Sequence, residues 1–136
     1  MLILQGTLFA GLILGVMDGL WLGLIARDWL AAQLGPLKRE SFLVAPAIGF
    51  YVLYSVGMAV FAVTPAVESG GWMRAALLGG FLGLVAFGTY DLTNMATLKG
   101  WPVPMTFVDM AWGMVVSAVS SAGAVLVIGL FNKSSS

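Results

Sequence analysis

Asp18, Asp91 and Asp109 are three of only six acidic residues in the chain, and all three fall inside runs that are otherwise apolar. A carboxylate at bilayer depth costs at least ~2.5–3.5 kcal/mol on insertion scales, so it faces the protein interior or a water-filled cavity. Each of the three has a donor three residues on, one helical turn along the same side. The pairs are Asp18 with Trp21, Asp91 with Asn94, and Asp109 with Trp112. Indole N–H and amide groups can hold a buried carboxylate. The run Thr89-Tyr90-Asp91-Leu92-Thr93-Asn94 is unusually polar, Thr97 extends it, and Tyr51 and Tyr54 bring hydroxyls from another apolar run. A pocket built from Asp18, Trp21, Tyr51, Tyr54, Tyr90, Asp91, Asn94, Asp109 and Trp112 contains no Lys or Arg. Three neighbouring carboxylates cannot all be ionised cheaply, so such a pocket suits a proton or a small cation. The competing reading is structural, with buried Asp side chains bonding to Trp, Tyr and Thr to fix helix packing.

Catalytic chemistry has less support, and no catalytic residue is assigned. The chain has no His and no Cys. That removes the usual neutral-pH base, the usual zinc ligands and any disulfide framework. Ser117, Ser120 and Ser121 lack a His, and a Ser–Lys pair would need Lys99 or Lys133, both at the ends of apolar runs. No metal site is expected from spacing, and no cofactor is implied.

These side chains need scaffolding, and the composition says what kind. Of 136 residues, 60% are hydrophobic and 9% charged, with a formal net charge of zero. Ordinary soluble domains carry roughly 25% charged residues, and a globule this small has too much surface for so apolar a chain to hide. Zero net charge also argues against nucleic acid, which needs a basic face. An all-α integral membrane protein remains. A spanning helix takes about 20 apolar residues, and four runs qualify, at about 2–26, 42–63, 75–98 and 104–131. The second is expected to stop before Thr64-Pro65, since proline cannot continue the hydrogen-bond ladder, and Pro104 suits a helix start. The runs are too long and continuous for barrel strands.

Alternating helices carry all three carboxylates to one side. Asp18 lies ~12 Å before the end of the first run, Asp91 ~10 Å before the end of the third, and Asp109 ~8 Å into the fourth, at ~1.5 Å per residue. All three therefore sit beneath the face that carries the first and third connections. The connection Arg27 to Ser41, with Trp29, Leu30, Leu34 and Leu37 among charges, reads as a broken amphipathic turn at the interface. Pro65 to Arg74 reads as a tight loop anchored by Trp72, and Lys99-Gly100-Trp101-Pro102 as a compact turn. Residues 133–136 are a polar tail with the composition of a vector-derived scar and carry no fold argument. The N-terminal run lacks a basic segment and contains Asp18, so it reads as a span and not as a cleavable signal peptide. Arg27, Lys38, Arg39 and Lys99 on one side outnumber Arg74 and Lys133 on the other. That bias favours cytoplasmic first and third connections, with both termini outside.

Small residues recur at helical spacing: Gly11, Gly15, Gly19 and Gly23 in the first run, Gly79 and Gly83 in the third, Gly113, Ser117 and Ser121 in the fourth. Such stripes let helices approach closely. The simpler reading is intramolecular packing, with membrane lipids around it. The alternative is a homodimer through the first-run glycines.

Around the carboxylates the sequence resembles a family of small bacterial predicted membrane proteins, the domain of unknown function 2177. The likeness covers nearly the whole chain. It rests on Asp18-Gly-Leu-Trp21-Leu22-Gly23, Phe50-Tyr51, Thr89-Tyr90-Asp91-Leu92-Thr93-Asn94 with Ala96-Thr97-Leu98 and Trp101, and Asp109-Met-Ala-Trp112-Gly113. It implies a four-helix, multi-pass protein of the bacterial inner membrane and no established activity. Some family members carry a His in the first connection where this chain reads Gly35-Pro36. Three functions stay open: binding or transport of a small cationic solute or protons; a lipid-modifying enzyme or accessory factor whose carboxylates hold a divalent cation; and a non-catalytic module that binds a lipid, a pigment or a membrane partner.

Overall fold

The computed structural model describes residues 2–25, 28–29, 32 and 44–134, and the regular structure of these residues is helical. Four helices are long and apolar enough to cross a membrane: Leu2–Leu24, Ala45–Glu68, Gly71–Thr97 and Val103–Asn132. We number them α1 (Leu2–Leu20, continued by a π-helical turn, Trp21–Ile25), α2 (Val44–Met58, continued by a π-helical turn, Ala59–Val63, and an α-helical stretch, Thr64–Glu68), α3 (Gly71–Thr97) and α4 (Val103–Ser134). Most of the first connection, including Arg27, Leu30, Leu34, Gly35, Pro36, Leu37, Lys38 and Arg39, lies outside the described residues, as do 135 and 136.

The second span is longer than its proline predicts. It continues past Val63 to Glu68 because the π-turn widens the helix ahead of Pro65. Thr64 N–H bonds to the carbonyl of Ala59, five residues back, and Pro65 falls in the first turn of the resumed stretch. There its missing N–H breaks no bond. The reversal into α3 is correspondingly short and places the start of α3 at Gly71 instead of near Ala75. Gly70 takes φ +94°, a left-handed conformation that favours glycine. Arg74 ties the turn together, its Nη1 donating to the carbonyls of Pro65 and Ser69, each at 3.2 Å. At the opposite end, α4 winds on through Lys133 and Ser134, into the segment that reads as a tail.

Packing follows chain order around the bundle. α3 lies along α4, α4 against α1, and α1 against α2, whereas α2 meets α3 chiefly through Ala59–Val63 and Thr64–Glu68, beside their shared turn. The core holds Ala10, Leu14, Tyr54, Met58, Val63, Val116, Ala124 and Ile128. The α3–α4 seam works as the small-residue pattern predicts. A methyl group on Gly79 would sit 2.5 Å from the Ser121 hydroxyl, and one on Gly83 would collide with the Gly113 carbonyl. The α1 glycines behave differently. The buried face of α1 is Gly6, Ala10, Leu14 and Asp18. The neighbouring stripe turns outward: Gly11 touches Ser55, but Gly15, Gly19 and Gly23 have nothing within 4 Å. Among the described residues these three glycines form no intramolecular seam, because the adjacent stripe carrying Asp18 takes the interior.

Candidate functional site

The three carboxylates share one level. Asp18 lies six residues before Leu24, Asp91 six before Thr97, and Asp109 six after Val103, each about 9 Å from its helix end at 1.5 Å per residue. Asp18 is held from two other helices. Tyr51 of α2 donates its hydroxyl to Oδ2, and Trp112 of α4 donates its indole N–H to Oδ1 at 2.9 Å. These bonds replace the one-turn pairing that the spacing predicts. Trp21 does not reach down to Asp18; its ring stacks on Trp112 with centroids 4.6 Å apart and planes at 12°. Trp112 serves Asp18 rather than Asp109, because the indole points across the helix interface and not back along α4.

Asp109 interacts electrostatically with both Asp91 and Asp18. Asp91 is fully buried, at 0% exposure. Among the described residues no N–H or O–H donor reaches either of its oxygens. A buried polar group is normally partnered, so Asp91 is the group in this site whose surroundings are least complete. Asn94 does not supply the missing donor; it sits beside the hydroxyl of Tyr90.

A cavity of about 260 Å³ opens against this cluster, lined by Asp18, Leu22, Phe50, Ala86, Phe87, Tyr90 and Asp109. All four helices contribute, and among the described residues the lining carries two carboxylates and no basic side chain. Asp91, fully buried, is not among the residues that line the cavity. Phe87 is seated by the absence of a side chain at Gly113, where a Cβ would collide with its ring. Tyr90 meets Trp101 edge-on at 5.8 Å, and Trp101 is anchored through Nε1–H to the Thr106 hydroxyl at 3.0 Å.

Two expected contributors are elsewhere. Tyr54 is buried in the packing interface, sharing a 2.5 Å hydrogen bond with the Ser117 hydroxyl. The Thr89, Thr93 and Thr97 hydroxyls are exposed and bond to carbonyls one turn back on their own helix. The polarity of that run therefore reaches the cavity only through Tyr90 and, at one remove, Asp91. Conversely, Leu22, Phe50, Ala86 and Phe87 line the cavity without having stood out as site residues. Phe87 precedes Asp91 by four positions, one helical turn, which is the one signal that marks it. Among the described residues no group of three or more His, Cys, Asp or Glu is placed to hold a metal ion.

The sequence matches one family model, described as predicted membrane protein, domain of unknown function 2177, over residues 3–126. The chain belongs to this family. The match takes in all three carboxylates, the aromatic wall and both Trp residues of the stack, so the site is built from family sequence throughout. Neither the curated proteins nor the solved structures gave a match to the chain.

Proposed function

We propose that this membrane protein binds a small cationic solute, or protons, in the cavity between Asp18 and Asp109, and moves it across the bilayer. The observation that carries the reading is the lining itself: two carboxylates facing aromatic rings, with no basic side chain among the described residues that form the wall. Intramembrane carboxylates of this kind mark solute and proton paths in membrane proteins generally. Asp91 supports it, because a buried carboxyl group without a donor beside Asp109 offers a place for a positive charge or a proton. Among the described residues no three-ligand group is placed for a metal ion, whereas ring faces stand beside the carboxylates, and this supports a solute held by charge and ring faces. We read the protein as one of the bacterial inner membrane, and the four apolar spans and the predicted-membrane-protein family support a multi-pass membrane location.

The test is flux in proteoliposomes. Purified protein should accelerate decay of an imposed proton gradient or uptake of a small ammonium ion such as tetramethylammonium. Asp91→Asn and Asp109→Asn should each abolish that activity while leaving the Trp21–Trp112 near-ultraviolet circular dichroism intact. Wild-type liposomes no leakier than empty ones, towards both protons and tetramethylammonium, would defeat the transport reading.

A further inference from the structure

We propose that the natural ligand is a cationic amphiphile, its charged head between Asp18 and Asp109 and its apolar tail passing sideways between α2 and α3 into the lipid. This rests on the reading of the cavity as a cation site and adds the class of cation and its route. The route comes from the splay of two helices. α2 and α3 share a turn at Ser69–Gly70 and pack there. Towards their other ends the ring contact between them is Tyr54 edge-on to Phe87, with centroids 6.1 Å apart at 64°. Beyond it the cavity begins, with Phe50 of α2 on one side and Ala86, Phe87 and Tyr90 of α3 on the other. Phe50 is 46% exposed, Leu22 46% and Tyr90 57%. Among the described residues the rim is thus exposed at the outside of the bundle while lying within the spans, where the surroundings are acyl chains.

Size and chemistry select the occupant. About 260 Å³ is just under the ~300–1,000 Å³ usual for small-molecule sites, so the cavity suits a compact head, and a longer tail continues outward through the rim. The head should be positive, for Asp18 and Asp109 are the acidic groups among the described residues of the wall. It should also be weakly hydrated, because aromatic faces attract a cation within about 6 Å of the ring centroid but do not replace a tightly held water shell. An alkylated ammonium satisfies both conditions.

The experiment uses the full chain in phosphatidylcholine nanodiscs, titrated calorimetrically with tetramethylammonium, butyltrimethylammonium and hexyltrimethylammonium. Hexyl sulfate is the anionic control, and heats from empty nanodiscs are subtracted. All three ammonium ions should bind saturably, tightening about fourfold per added methylene as the tail leaves water, and hexyl sulfate should not. Asp109→Asn should remove the saturable phase. If that variant fails to assemble, Phe50→Ala replaces it and should weaken hexyltrimethylammonium more than tetramethylammonium. Affinity that is flat or falls with chain length overturns the lateral tail, while tetramethylammonium binding would still uphold the cation site. Saturable hexyl sulfate binding of equal strength overturns the requirement for positive charge. No saturable binding by any ammonium ion removes both the cation site and this inference.

Discussion

At the scale of single residues, the site divides its three acids by what surrounds each. Asp18 is clamped by an O–H from one helix and an N–H from another, so its position is a consequence of packing between α1, α2 and α4. Hydrogen bonds to charged groups contribute roughly 1.5–3 kcal/mol each, and removing one donor leaves a buried acceptor short. Tyr51→Phe and Trp112→Phe should therefore each lower the unfolding free energy by about 1–3 kcal/mol, measured by detergent-denaturant titration in mixed micelles. Trp112→Phe should in addition diminish the near-ultraviolet signal of the Trp21–Trp112 stack. Tyr54→Phe separates the structural from the binding aromatics. It deletes the bond to Ser117 and should cost about 0.5–1.5 kcal/mol, yet leave tetramethylammonium binding within twofold of wild type. A loss of binding larger than the loss of stability would return Tyr54 to the site.

At the scale of elements, glycine has opposite meanings on different helices. Gly83 lies where α3 presses on the carbonyl of Gly113, so Gly83→Val forces the helices apart and should cost about 1–3 kcal/mol or more. Gly15 faces open space, so Gly15→Ala removes only the backbone entropy of glycine and should stabilise α1 by up to about 1 kcal/mol. Unfolding titrations of the two variants should move in opposite directions. That contrast also shows where sequence reading runs out. The number of spans and the common depth of the acids were legible, because run length and the position of a charge within a run are linear properties of the chain. The rotation of α1 was not. Its two period-four stripes, Gly6/Ala10/Leu14/Asp18 and Gly11/Gly15/Gly19/Gly23, are one position apart, and both are small or apolar enough to pack. The partner of Asp18 was misread for a related reason: one-turn spacing sees Trp21, whereas the donor comes from α4, 94 residues away. The walls Phe50 and Phe87 were silent because a phenylalanine in an apolar span signals nothing by its type alone. The π-turn that admits Pro65 into α2 likewise leaves no mark in composition.

At the scale of the whole molecule, the described helices are tied together at one end and carry the cavity towards the other. α2 and α3 are cinched at Gly70–Gly71 by Arg74, and the seam of Gly79, Gly83, Ser117 and Ser121 runs between α3 and α4 from there. The acids and the cavity lie towards the end that carries Lys99 and Trp101. A ligand should then reach the site from that half of the bilayer alone. The chain offers a direct assay, since it contains no cysteine and any introduced thiol is unique. In sealed proteoliposomes of sorted orientation, Tyr90→Cys should react with a small membrane-impermeant thiol reagent from the same side as Lys99→Cys, and Arg74→Cys from the other. In cells, the charge bias of the first and third connections predicts a cytoplasmic Lys99 side, so a reagent added outside should label Arg74→Cys and spare Tyr90→Cys. Saturating hexyltrimethylammonium should slow the Tyr90→Cys reaction several-fold without changing that of Lys99→Cys, because Tyr90 lines the cavity and Lys99 does not. Labelling of Tyr90→Cys from the Arg74 side would mean that the cinched end opens. A one-sided basin would then be the wrong description, and the three acids would instead lie along a path running the length of the bundle.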